Sequence, residues 1–118
     1  MDKLEQRIFE LLSGHRGIDS AIIVKEIQTQ IGSDERRIRK AISRLVQEYH
    51  CPIASSVSYP YGFYFITNEE EAKDCLRQYW SRIAELSKRA KALNKTIRAE
   101  LGKEIQMELD FNAHRETG

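Results

Sequence analysis

The sequence predicts a mainly helical fold with a small β-hairpin, followed by one long C-terminal helix. Three observations favour this fold class. Before residue 50, three segments carry apolar residues at the spacing of an amphipathic helix. Two short runs with strand propensity follow, separated by a stretch rich in turn residues. From residue 69 the chain has no proline and a single glycine before its last residue, which suits a long helix.

The first two helices are predicted from apolar stripes that cover residues 4–12 and 21–31. A glycine follows each stripe, and Gly14 and Gly32 are therefore expected to end these helices. The connection between them includes Asp19 and Ser20, and we expect one of these two side chains to cap the second helix.

The third helix is predicted to combine an apolar face with a basic one. Its apolar stripe comprises Ile38, Ile42, Leu45 and Tyr49, at intervals of four, three and four. Its other face carries Arg36, Arg37, Lys40 and Arg44, and the segment from Arg36 to Arg44 contains five positive residues and no acidic ones. Ser33 or Asp34 can cap its first amides, so the helix should begin directly after Gly32. Taken alone, such a face is equally well explained as a solvated surface.

The hairpin is predicted from residues 53–56 and 63–67, which have strand propensity and flank a turn-rich segment. Its tip, Tyr59-Pro60-Tyr61, carries no lysine or arginine. The tyrosines of this region could contact nucleic acid or cover the hairpin, and the sequence leaves both possibilities open.

The long helix is predicted to run from about residue 69 to about residue 105 and to carry a heptad stripe. Its alternating a and d positions are Leu76, Tyr79, Ile83, Leu86, Ala90, Leu93 and Ile97, and Trp80 lies beside them. So long a stripe cannot be buried against so small a domain, and a second copy of the chain is its expected partner. These eight residues are the predicted dimer interface. Residues 82–98 hold six positive charges against Glu85 alone, which suit a solvated flank or contacts to flanking DNA.

The order of these elements, and several residues, resemble the winged helix-turn-helix DNA-binding domains of bacterial and phage regulators, such as the N-terminal domain of the biotin operon repressor. Val24-Lys25-Glu26-Ile27 with Ile31-Gly32 is similar to their second helix and turn, residues 33–45 to their recognition helix, and Gly62-Phe63-Tyr64-Phe65 to the return strand of their wing. The resemblance covers about residues 1–67. It implies a winged helix domain at 1–67. The heptad stripe makes residues 68–107 the expected oligomerisation helix, and residues 108–118 are expected to form a flexible tail.

The resemblance implies double-stranded DNA as the partner. In this architecture the first turns of the recognition helix enter the major groove, where arginine can pair with guanine. The predicted DNA-binding residues are Ser33, Arg36, Arg37, Lys40, Arg44 and Tyr64. Arg36, Arg37 and Lys40 are expected to read base edges, Arg44 to contact phosphate, and Ser33 with the first amides to hold a phosphate.

Length, composition and charge limit the classes to which the protein can belong. The 118 residues are enough for one domain and an appendage, and the net charge of +1 conceals the two basic clusters. Two cysteines without metal-ligand spacing, and no signal-peptide pattern or apolar span, predict a reduced, cytoplasmic protein with no membrane contact. No nucleophile, metal or phosphate-loop motif is present, so we expect neither an enzyme, a cofactor nor a metal.

The predicted function is sequence-specific binding of double-stranded DNA by a homodimer, with regulation of transcription as its use. A replication-initiation or mobile-element protein of phage type could use the same domain, and the sequence does not separate these roles. From another class, the basic helix could bind an acidic protein partner.

Overall fold

The computed structural model of the chain describes residues 1–102. In order, the elements are α1 (Lys3–Leu12), a 3₁₀ turn (Ile18–Ser20), α2 (Val24–Ile31), α3 (Glu35–Gln47), β1 (Ile53–Ser56), β2 (Gly62–Phe65) and α4 (Glu69–Leu101). β1 and β2 pair as an antiparallel hairpin. The mainly helical fold with a small hairpin and a long C-terminal helix is therefore confirmed. The chain divides into two compact units, Met1–Gln78 and a second that begins at Tyr79, and α4 contributes residues to both.

The core of the first unit is formed where α1, α2 and α3 meet. Its completely buried apolar side chains are Ile8, Leu12, Ile27, Ile38 and Leu45. All five belong to the stripes that the apolar spacing predicts. Tyr49 is not part of this core, because α3 ends at Gln47 and the Tyr49 side chain is exposed. Its place in the stripe is a wrong prediction, since the helix stops before it.

The segment between α1 and α2 differs from its prediction because it pairs with the hairpin. Ile22 exchanges two backbone hydrogen bonds with Phe63 of β2, at 2.9 and 2.8 Å. The main chain of His15 and Gly17 bonds to Phe65 in the same way, at 2.9 and 2.8 Å. α2 consequently begins at Val24, with Ile23 at its N-cap and no side-chain cap, so capping by Asp19 or Ser20 is wrong.

Gly62 lies where the hairpin passes closest to Ile22. Its φ is 121°, and a Cβ atom built on it would lie 2.3 Å from the carbonyl carbon and oxygen of Ile22. Any other residue would have to separate these two backbone segments. The close pairing of the α1–α2 connection with β2 therefore depends on glycine at this position.

The first turns of α4 are attached to this unit by Glu71. Its amide is capped by the Asn68 side chain at 2.9 Å. Its buried carboxylate accepts hydrogen bonds from the amides of Ile18 and Thr67, each at 2.8 Å, and from the Thr67 hydroxyl at 3.1 Å. Burial raises the pKa of Glu71, but these three donors outweigh it and the pKa lies below its ordinary value. Glu71 thus fixes the start of α4 to the 3₁₀ turn.

α4 continues through Leu101, and Gly102 follows it with a φ of 70°. The large side chains of the predicted interface from Leu76 to Leu93 are 52 to 65 % exposed. Ala90 is exposed and Ile97 is half-buried. The pairing of this stripe with a second copy stays a prediction. The continuation to residue 105 and the tail at 108–118 lie outside the described residues.

Candidate nucleic-acid interface

Asp34 sets the start of α3. Its Oδ1 accepts a hydrogen bond from the Arg37 amide at 2.8 Å, and Glu35 adds a second carboxylate in the first turn. Both suit the positive end of the helix dipole. Ser33 precedes the cap and is half-buried, and its hydroxyl makes no hydrogen bond to any described residue. Asp34, rather than Ser33, is therefore the N-cap residue of α3.

Three basic side chains project into solvent from the first half of α3. We refer to Arg36, Arg37 and Lys40 as the basic face. All three are exposed. Within residues 1–102, Arg36 and Lys40 have no carboxylate partner, and Arg37 has a loose pairing with Asp34 at 3.9 Å, with 76 % of its side chain exposed. The basic face is therefore a concentration of positive charge that the protein leaves largely uncompensated.

Arg39 is oriented differently from the basic face. Its Nε donates to the Glu35 carboxylate at 3.0 Å, and its guanidinium lies 5.7 Å from the centre of the Phe63 ring. The side chain thus bridges α3 and β2. Its charge is balanced by Glu35, which fits a boundary position.

Arg44, predicted to contact phosphate, is held by carboxylates. Its Nε lies 2.7 Å from Oε2 of Glu5, which is 1 % exposed, and its Nη2 lies 3.0 Å from Glu48. Hydrogen bonding to Tyr49, followed by the charges of Glu48 and Glu5, raises the pKa of Arg44. The guanidinium thus serves as the counter-ion of a buried carboxylate, which favours a structural role for Arg44 over the predicted phosphate contact.

Glu5 is the residue that the sequence analysis missed at this site. It belongs to the capping box of α1, in which Glu5 and Asp2 exchange hydrogen bonds at 2.7 and 2.8 Å. Its Oε2 accepts no aligned hydrogen bond from a described residue, so Arg44 compensates this oxygen by charge. The Asp-x-x-Glu pattern at residues 2–5 could have identified the cap, but nothing in it indicates the ion pair to α3.

Tyr64, predicted to contact DNA, is buried, with 3 % of its surface exposed. Strand alternation turns it away from Phe63 and toward the first turns of α4. Burial, and then the charges of Glu71, Cys75 and Asp74, raise the pKa of its hydroxyl. The prediction is wrong because α4 covers this side of the hairpin.

The tip of the hairpin forms one wall of an open groove, and the other wall is the segment that leads into α2. Tyr59 and Tyr61 are exposed at this tip, at 86 and 56 %, and their rings meet edge to face. The groove is also lined by Asp19 and Glu26, and no lysine or arginine lines it. The tip therefore adds aromatic surface beside the segment that leads into α2, but no positive charge.

Other chemistries find little support in residues 1–102. No group of three or more histidine, cysteine or acidic side chains is placed to hold a metal ion. No helix in that range is long and apolar enough to span a bilayer. No protein-family model, curated protein or solved structure matches the chain.

Proposed function

We propose that the chain is a sequence-specific double-stranded DNA-binding protein of the winged helix type, which acts as a dimer to regulate transcription. The observation that carries this proposal is the basic face, where Arg36, Arg37 and Lys40 are exposed on successive turns without close carboxylate partners. Their charges are available to a polyanion.

The position of the basic face on α3 suits the major groove. An α-helix fits that groove, and it is the N-terminal part of a recognition helix that contacts base edges. Arg36 and Arg37 lie in the first turn of α3 and Lys40 in the second. In our proposal the two arginines pair with O6 and N7 of guanine, and Lys40 contacts a base edge or phosphate.

The rest of α3 keeps this face presented to solvent. Its opposite side is anchored in the core by Ile38, Ile42 and Leu45, each at most 5 % exposed. Arg44 ties its last turn to Glu5 of α1. Because both ends of the helix are fixed, the basic face is held in place before DNA arrives, and binding need not order the helix.

The dimer belongs to the same proposal. One helix of this kind reads only a few base pairs, and two half-sites give the specificity that a regulator needs. The apolar stripe of α4 from Leu76 to Ile97, whose large side chains up to Leu93 are exposed, is the surface that we expect to join two copies. Size-exclusion chromatography with light scattering measures the mass directly, and a monomer at micromolar concentration contradicts this part of the proposal.

Selection of bound duplexes from a random pool tests the DNA-binding claim. We expect enrichment of one motif, and an affinity that falls steeply as salt rises because phosphate contacts release counter-ions. No enrichment, or an affinity insensitive to salt, contradicts the proposal. Retention of an acidic protein in place of DNA would instead assign the basic face to a protein partner. The genomic positions of the motif separate a regulator from a replication-initiation protein.

Arg37 offers the sharpest variant for this test. In Arg37→Ala, we expect affinity for the selected duplex to fall by about 5- to 150-fold, the value of one bidentate arginine–guanine pair. Arg37→Lys is the matched control that keeps the charge. It should retain binding to unrelated duplexes and lose preference at one position of the motif.

A further inference from the structure

The sizes of the side chains along the apolar stripe of α4 indicate the orientation in which two copies would pair. Its positions alternate as a and d of a heptad, and most of its members are large side chains, with Ala90 as the one small residue. A paired helix fills its seam best when large residues face small ones, because voids and clashes both reduce stability. The position of Ala90 can therefore distinguish between parallel and antiparallel pairing.

In a parallel, in-register pair, each residue faces its own copy. Tyr79 then faces Tyr79, and two Ala90 side chains leave a gap in the seam. In an antiparallel pair, a positions face d positions. Two antiparallel registers each use six of the seven positions, and the one that includes Leu76 pairs it with Leu93, Tyr79 with Ala90, and Ile83 with Leu86. It places the largest ring of the seam against its smallest side chain.

We infer that two copies of this chain pair through α4 in antiparallel orientation, with Tyr79 of one copy packed on Ala90 of the other. This inference rests on the dimer of the proposed function and goes further by fixing its orientation and register. Trp80, which is 65 % exposed beside the stripe, then lies across from Ser87, where there is room for an indole.

The charges along α4 favour the same orientation. Residues 88–98 carry five positive side chains and no acidic one. A parallel pair sets this segment against itself. The antiparallel register sets it against residues 71–81, which hold two acidic and two basic side chains. The antiparallel pair therefore avoids setting five positive side chains against five more.

One pair of charges opposes the antiparallel register. Arg82 and Arg89 occupy g positions, and g residues face each other across an antiparallel seam. Both side chains are exposed, and the Arg82 guanidinium lies 5.0 Å from the centre of its own Tyr79 ring. Repulsion between exposed charges is weak and screened by salt. In a parallel pair, Arg82 would face Ser87 instead, so this position can be used as a test.

The orientation has a consequence for the target DNA. At 1.5 Å per residue, the first residues of the two α4 helices lie about 46 Å apart along an antiparallel pair. In a parallel pair they lie side by side. The antiparallel dimer thus attaches its two N-terminal units farther apart than one turn of DNA, which is about 34 Å.

Distances between spin labels test the inference in the full-length chain. Two exposed alanines are suited to labelled cysteines, Ala84 near the centre of the seam and Ala99 near the end of α4. Cys75→Ser removes the more accessible native thiol, and Cys51 is buried. In the antiparallel pair, the two labels of Ala84→Cys lie at nearly the same height. Those of Ala99→Cys are displaced by about 44 Å along the axis.

A short distance for Ala84→Cys together with one of about 45 Å for Ala99→Cys supports the inference. Short distances from both labels overturn it and leave the dimer standing. No intermolecular distance from either label, with a monomeric mass, overturns the dimer itself, and the random-duplex selection then decides DNA binding separately.

Arg82→Glu provides an independent check. In the antiparallel pair the new carboxylate faces Arg89 of the other copy, so the dimer dissociation constant should fall by about threefold or more at low salt. In a parallel pair it faces Ser87 and the constant should not change. Ser81→Glu is the matched control, because it adds a carboxylate at the outer f position.

Discussion

Arg37 in the first turn of α3 and Arg44 in the last are seven residues apart and lie on the same side of the helix. Arg37 extends into solvent with a loose contact to Asp34 at 3.9 Å, whereas Arg44 lies 2.7 Å from the buried carboxylate of Glu5. In the sequence the two belong to one basic stripe. In the structure, the charge of Arg37 is available for binding, whereas the charge of Arg44 stabilises the fold.

The difference shows what decides the role of a basic residue on a helix. Neither its spacing nor its neighbours in the sequence distinguish Arg37 from Arg44. The distinguishing residue is Glu5, which lies on α1 and is buried. A buried carboxylate requires a counter-charge, and the guanidinium of the nearest arginine is then held by that carboxylate.

The largest effect is expected from removing the basic face. The triple variant Arg36→Ala, Arg37→Ala and Lys40→Ala should lose at least about 100-fold in affinity for the selected duplex, because base pairing and phosphate contacts are removed together. Its melting temperature should stay unchanged, since these side chains make no buried contact. Fluorescence anisotropy and calorimetry measure the two quantities.

The matched control removes the same number of charges from α4, in Lys88→Ala, Lys91→Ala and Lys95→Ala. It should retain most of the sequence-specific affinity. Equal losses from both triple variants would mean that DNA responds to net charge alone, and the contrast between the two surfaces would no longer hold.

Arg44→Gln should have the opposite profile. It leaves the buried carboxylate of Glu5 without its counter-charge, so we expect the melting temperature to fall by about 5 °C or more. The affinity of the folded protein for DNA should stay within about twofold of the wild type. In a Glu5→Gln background, the capping box is retained and Arg44→Gln should have a much smaller effect. A large loss of affinity without a loss of stability would indicate that Arg44 contacts DNA.

Asp34→Asn separates capping from charge at the start of α3. Asparagine caps a helix as well as aspartate does, so stability should be retained. Removal of the carboxylate next to Arg37 should raise the affinity for DNA by about threefold at low salt. Asp34→Ala should give the same rise but lower the free energy of unfolding by about 1 kcal/mol. An unchanged affinity in both variants would indicate that DNA does not bind near the start of α3.

The smallest effect on DNA affinity is expected at Glu71, a buried carboxylate far from the basic face in sequence. Glu71→Gln should lower the free energy of unfolding by about 1–2 kcal/mol at neutral pH and leave DNA affinity unchanged. The folded pKa of Glu71 is lowered, so its stabilisation is present above the ordinary pKa and is lost as the pH falls through the folded value. Urea unfolding between about pH 7 and pH 3 should show the two proteins converging at the acidic end. A difference that stays constant with pH contradicts this assignment.

Much of the fold could be predicted because its signals are local. The stripes of α1 and α3, the strands at residues 53–56 and 62–65, and the start of α4 all follow from spacing or propensity within a few residues. The pairing of Ile22 with Phe63 could not be predicted in this way. A single bridging residue has no periodicity, and Gly62 explains the close approach only once both segments are seen together.

The candidate site could be predicted only in part, for a related reason. The spacing of Ile38, Ile42 and Leu45 orients α3 and therefore exposes Arg36, Arg37 and Lys40. The ion pair of Arg44 and the burial of Tyr64 could not be predicted, because their partners are distant in sequence. Glu5 lies on the first helix, and the first turns of α4 cover Tyr64. Alternation along β2 could have suggested two buried sides, but not which element covers the second.

Mapping of a bound duplex onto the protein tests the central claim most directly. Amide chemical shifts of the isotopically labelled chain, titrated with the selected duplex, report which residues meet DNA. We predict that the largest changes fall within residues 34–40 at the start of α3, with smaller ones at the hairpin tip and little change around Arg44. Changes centred on the last turn of α3, or on the groove beside Tyr59, would contradict the account.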